Sequence, residues 1–248
     1  MSALGVSLAL AQTEAPAPPK VDAAALLAKA MQLYEGKSYA SAMAVFRQAA
    51  ATGSVEAMMY LGVMYGSGQG TAQDYRQAAD WFRKAATGGD SQAMNNLGLL
   101  YYQGLGIAKD YREALSWFHK AADLGNGEAM FNTGTLLRDG RGVAPNPGEA
   151  MRWFRKAADA GDAQAANEVG VLYQKGLGVA VDYSQASTWY RKAAEGGNDR
   201  AMFNLGMLCE EGLGVAKNRE DAIVWYRQAA VRGNAEARER LKALGVGN

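Results

Sequence analysis

The sequence predicts an all-α fold, an α-solenoid of antiparallel helix pairs, and three series of residues predict it. The first is Trp81-Phe82-Arg83-Lys84-Ala85-Ala86. It returns at Trp117, Trp153, Trp189 and Trp225 in steps of 36 and uses every tryptophan of the 248-residue chain. The second is a run of helix-capping residue types on the same step: Ser54, Asp90, Asn126, Asp162, Asn198 and Asn234. The third is a glycine pair, Gly68/Gly70, Gly104/Gly106, Gly140/Gly142, Gly176/Gly178 and Gly212/Gly214. A fixed period of this length means stacked supersecondary units, each unable to bury its apolar face alone.

Taken in order, residues 1–20 precede the array. Ala3 to Ala11 are apolar but too few to span a bilayer as a helix. They match the apolar part of a secretory signal, with Ala9-Leu10-Ala11 as a cleavage site before Gln12. The basic segment that should precede them is missing, since Lys20 is the first basic residue. The expectation is a signal-peptide remnant whose true start lies upstream, followed by a linker with Pro16, Pro18 and Pro19. A disordered tail on a cytoplasmic protein is the alternative. Residues 21–53 read as a shorter helix pair carrying Ala30, Tyr34, Gly36, Tyr39, Ala42, Phe46 and Ala49-Ala50, without the glycine pair. Five repeats follow, 54–89, 90–125, 126–161, 162–197 and 198–233. Residues 234–248 begin a sixth first helix that Arg238, Glu239, Arg240 and Lys242 make polar, as the end of a stack requires.

The repeat 90–125 shows how one unit is specified. Asp90 caps a first helix whose Met94, Leu97, Gly98 and Tyr101 draw one apolar stripe. The mid-helix glycine recurs as Gly62, Gly98, Gly134, Gly170 and Gly206, which predicts close approach of a second helix. Gly104 suits the left-handed turn after the helix. Asp110-Tyr111-Arg112-Glu113 reads as a capping box opening the second helix, matched by Asp74…Gln77, Asn146…Glu149, Asp182…Gln185 and Asn218…Asp221. Ala114, Ala121 and Ala122 let the helices close up, and Trp117 is expected to fill the gap between them. The slot of Tyr101 runs Tyr65, Tyr101, Leu137, Tyr173, Cys209, so Cys209 reads as a buried, inert thiol. Met58, Met94, Met130 and Met202, with Ala166 in the fourth copy, read as core filling rather than a metal ladder. Thr133 and Pro145-Asn146-Pro147 mark the third copy as the least regular.

Ala93, Leu97-Gly98, Tyr101, Gly104-x-Gly106, Asp110, Ala114, Trp117 and Lys120-Ala121-Ala122 resemble the Sel1-like repeat, a 36-residue relative of the tetratricopeptide repeat. Residues 21–53 resemble a tetratricopeptide-like pair. The resemblance implies a right-handed superhelix whose first helices line the concave side. It implies a scaffold or adaptor for protein complexes and no general catalytic activity. Cysteine-rich relatives of the repeat imply an alternative, β-lactam binding and hydrolysis. Those relatives carry a cysteine pair in each repeat, whereas this chain has one cysteine and no Ser-x-x-Lys.

Lys+Arg is 26 and Asp+Glu is 25, which argues against general nucleic-acid binding. One cysteine allows no internal disulfide, and His119 is the only histidine, so no catalytic or metal constellation is visible and no cofactor is expected. The basic residues after each tryptophan read as a solvated outer face. The candidate partner-binding surface is the face beside the first-helix stripe: Asn95, Asn96, Tyr102, Phe131, Asn132, Arg138, Asn167, Phe203 and Asn204. Asparagine pairs with both donor and acceptor of a peptide backbone, and aromatics add contact area. The repeated asparagines also fit a second account, hydrogen bonding between neighbouring repeats. The expected function is a non-catalytic scaffold that binds a protein or peptide in its concave groove, periplasmic or secreted, in envelope signalling or assembly.

Overall fold

The computed structural model describes residues 22–246, and every regular element in that span is a helix. The apolar segment 3–11 and the linker 12–20 lie outside the described residues. A first pair, α1 (Ala23–Glu35) and α2 (Tyr39–Ala51), precedes the repeats. The five pairs are α3 (Val55–Ser67) with α4 (Tyr75–Thr87), α5 (Ser91–Gln103) with α6 (Tyr111–Asp123), α7 (Gly127–Asp139) with α8 (Pro147–Asp159), α9 (Ala163–Lys175) with α10 (Tyr183–Glu195), and α11 (Asp199–Glu211) with α12 (Arg219–Val231). Helix α13 (Ala235–Ala243) closes the right-handed α-solenoid, in which each helix packs on its chain neighbours.

The caps explain the boundaries. Ser54, Asp90, Asn126, Asp162, Asn198 and Asn234 each accept a backbone N–H from the first turn of the helix that follows. Gly104 ends α5 at φ +77°, a conformation that costs glycine nothing. The second helices depart from the expected capping box. Asp110 accepts from the N–H groups of Arg112 and Glu113, but its own N–H donates to the Tyr101 carbonyl at 3.0 Å. Asp74, Asn146, Asp182 and Asn218 repeat this bond to residues 65, 137, 173 and 209. The loop is therefore closed onto the first helix, and the residue three places on is not needed to satisfy the cap.

The gap between paired helices is filled by the residue after each tryptophan. Phe82, Phe118, Phe154, Tyr190 and Tyr226 are buried, whereas Trp81, Trp117, Trp189 and Trp225 are only half-buried and Trp153 alone is enclosed. The mid-helix glycine faces this buried ring: a Cβ built on Gly98 would lie 2.7 Å from Phe118. The expected close approach is therefore met by an aromatic ring rather than by alanines, and the tryptophans lie farther out. Lysine ammoniums sit over the rings of Trp81, Trp117 and Trp153 at 4.0–4.1 Å. His119 meets the edge of Trp153 in the next repeat at 5.0 Å, and Arg155 lies over Trp189. The basic stripe thus covers aromatic surface and is not simply solvated.

The third copy packs as closely as the others. Thr133 is buried and its hydroxyl donates to the Ala129 carbonyl at 2.7 Å, so the polar atom is satisfied within its own helix. Pro147 sits in the first turn of α8, where its missing N–H is not used.

At the C-terminal end, Arg240 of α13 pairs with Glu210 of α11, and Tyr226 of α12 donates to the same carboxylate at 2.8 Å. The Arg240 hydrogen bond, helped by Tyr226 and opposed by burial, holds the Glu210 carboxyl below the usual range. A depressed folded-state pKa stabilises the fold above the unfolded value, about 4.3, and that contribution is lost as pH falls through the folded value. Thermal melts from about pH 6 to pH 3 should therefore show Glu210→Gln losing less stability over that range than the wild type. Parallel pH curves would assign the acid sensitivity to other carboxylates.

Candidate functional site

The first helices lie side by side, and polar side chains join them directly. Asn95 is 0% exposed on α5. Its amide donates to Glu128 at 3.0 Å, and its carbonyl accepts from Asn132 of α7 at 3.0 Å. Two repeats on, Asn204 donates to the buried Asn167 at 3.2 Å. Asn126 donates to Gln92, and Asn234 to Asp199, across the same kind of junction. A buried amide must be paired, and these pairs satisfy one another from adjacent repeats. Asn95, Asn132, Asn167 and Asn204 thus act first as staples between repeats. Asn96 is half-buried, with Gln92 at 3.4 Å.

The aromatic candidates lean on the core from its edge. Phe131 meets Phe154 at 5.5 Å and Phe203 meets Tyr226 at 5.6 Å between ring centres, each half-buried. Tyr102 packs edge-on against Tyr111 at 5.3 Å and accepts a hydrogen bond from Arg141. Arg138 is held by Glu168 and Asp139.

Four of the nine candidates, Arg138, Asn167, Phe203 and Asn204, come together in one groove of about 710 Å³ over α7, α9, α11 and the start of α13. The other five do not line it. Beyond those four, the groove is lined by Asp139, Glu168, Val171, Lys175, Leu177, Arg200, Asn234 and Glu236. Lys175 and Arg200 were not among the candidates because they stand at opposite ends of their helices, away from the face beside the stripe. Leu177 is in a loop and 38% exposed. The groove therefore offers hydrogen-bonding amides, two exposed cations and apolar wall in one place.

Other chemistry is thinly represented. No group of three or more metal-ligating side chains occurs among the described residues, and no helix there is long and apolar enough to cross a membrane. His119 faces Asp123 at 3.1 Å on an exposed surface.

The Sel1 repeat family model matches residues 55–90, 91–126, 127–162, 163–198 and 199–234. Among solved structures, a protective antigen of uropathogenic Escherichia coli strains displaying an SLR fold is 33% identical, with a TM-score of 0.86. The match covers 91% of this chain and 50% of that one, so the chain spans about half the length of this relative. A Sel1 repeat protein from Oxalobacter formigenes is 34% identical, with a TM-score of 0.79, over 88% of this chain and 89% of that one. Pseudomonas aeruginosa pilF shares the fold at 20% identity and a TM-score of 0.63, over 89% and 96% of the two chains. Among curated proteins none matches.

Proposed function

This chain belongs to the Sel1 repeat family, and we propose that it is a non-catalytic scaffold that holds a protein or peptide partner in the concave groove of its C-terminal repeats. Repeats of this family typically mediate protein interactions. The observation that carries the reading is the convergence of Asn204, Phe203, Arg200 and Lys175 in one groove. An extended segment lying there would meet backbone-pairing amides, an aromatic edge and cations at both ends. The apolar segment at residues 3–11 supports work in the periplasm or outside the cell, in envelope signalling or assembly.

The groove is tested by crosslinking capture from the envelope fraction of the native host, with wild-type protein beside Lys175→Glu/Arg200→Glu. Both residues are exposed, so the variant should keep its thermal stability. Recovery of the captured partner should fall about tenfold or more, the loss of two favourable charge contacts. Undiminished capture by a folded variant would move the binding surface elsewhere.

A further inference from the structure

A second cavity lies on a different part of the stack and shares no residue with the groove. In most repeats a basic side chain of one second helix reaches the phenol of the next first helix. Arg47 donates to the Tyr65 hydroxyl at 2.7 Å, and Arg155 donates to that of Tyr173. Arg83 has its pKa raised first by the Tyr101 hydroxyl. Where the phenol is replaced by Leu137, the basic residue changes with it, to His119. At the last junction only one side has changed. Arg191 is kept, but the residue in the phenol slot is Cys209.

The missing ring leaves a space. A pocket of about 340 Å³ is lined by Arg191, Cys209, Trp225, Leu205, Val215 and Asp221, among others. One repeat earlier the counterpart of Arg191, Arg155, lies over both Tyr173 and Trp189. Trp225 also lacks the lysine that covers the other tryptophans, because Gln228 stands in that position. Among the described residues no ion pair uses Arg191. Burial, with the Asp221 charge, pushes the Cys209 thiol up despite Arg191, so it stays neutral and does not supply an anion to that guanidinium.

We propose that this pocket takes up a para-substituted phenol from outside the chain, in the place that Tyr65, Tyr101 and Tyr173 fill in their own repeats. Arg191 donates to the phenol oxygen, Trp225 and Leu205 flank the ring, and Asp221 lies in reach of a phenol proton. A free phenol and a tyrosine side chain of a bound polypeptide share this chemistry.

Cys209 is the only cysteine, so its modification by a maleimide reads this pocket alone. In the full chain, p-cresol should slow that reaction saturably, with half-protection on the order of 1 mM for so small a ligand. p-Xylene, which lacks the hydroxyl, should protect about three- to tenfold less well. N-acetyl-tyrosinamide distinguishes the sources: tighter protection than by p-cresol assigns a tyrosine on a polypeptide, and weaker protection assigns a free phenol. Cys209→Tyr should fill the pocket, raise Tm by about 2–4 °C and abolish the thermal response to p-cresol. Arg191→Met, at an exposed position, should fold and weaken p-cresol about three- to tenfold while sparing p-xylene. The proposal is overturned if p-cresol gives no saturable protection up to about 10 mM, or if its thermal shift persists in Cys209→Tyr.

Discussion

Phe118→Ala is expected to destabilise the protein by about 3–5 kcal/mol, and Trp117→Ala by roughly half as much. The order inverts what residue size alone suggests. Phe118 is 1% exposed and lies against the backbone of Gly98, between the two helices of its repeat. Removing it leaves a cavity that neither helix can close, because Gly98 has no side chain to move in and the helices are fixed by their caps. Trp117 is half-buried, and the Lys120 ammonium covers its ring at 4.1 Å. Its loss removes apolar area and a cation–π contact, but water and the lysine stem can occupy the space. Urea unfolding of the two variants checks the order, with the m-value reported because a repeat array can unfold in parts. A greater loss for Trp117→Ala would return the tryptophans to the centre of the packing.

The caps and the period were legible because each rests on a local rule. Asp90 or Asn126 bonds the turn that follows it whatever the rest of the chain does. The apolar stripe was equally plain, since the spacing of Met94, Leu97, Gly98 and Tyr101 is fixed by helix geometry. What periodicity does not encode is which of two adjacent aromatics turns inward. Trp117 and Phe118 differ by about 100° around the helix axis, and both border the alanine stripe. Only the position of Gly98 on the facing helix selects Phe118. The asparagines show the same limit at the candidate site. Asn95 and Asn132 are 37 apart, one more than the repeat, so their pairing crosses two different slots. The sequence therefore leaves two accounts of them open, pairing between neighbouring repeats and contact with a partner, and does not name which asparagine meets which. The groove residues Lys175 and Arg200 come together only when the first helices of adjacent repeats, α9 and α11, are laid side by side.

Gly142→Ala should cost about 2–4 kcal/mol, although it adds one methyl to a surface loop. The second glycine of each pair does more than follow a helix end. Gly142 has φ +80°, and a Cβ there would meet the carbonyl carbon of Tyr111 at 2.7 Å and the amide of Arg112 at 2.8 Å. Those atoms are backbone at the start of α6, in the preceding repeat. A side chain could rotate away from the methyl, but a capped helix start cannot, so the loop would lift and the two repeats would separate. Gly70 meets Tyr39 and Ala40 in the same way, and Gly178 meets Pro147 and Gly148, which makes this loop a repeat-to-repeat contact along the array. Gly125→Ala is the control. Its φ is +88°, but no atom lies within 4 Å of the added methyl, so it bears the conformational cost alone, about 1–2 kcal/mol. The two variants therefore separate strain from contact. Gly142→Ala should also broaden the unfolding transition, because the N-terminal pairs and the last three repeats would melt less cooperatively once that junction is loosened. Equal losses and equally sharp transitions in the two variants would show that the junction is held by the stacked helices without the loop.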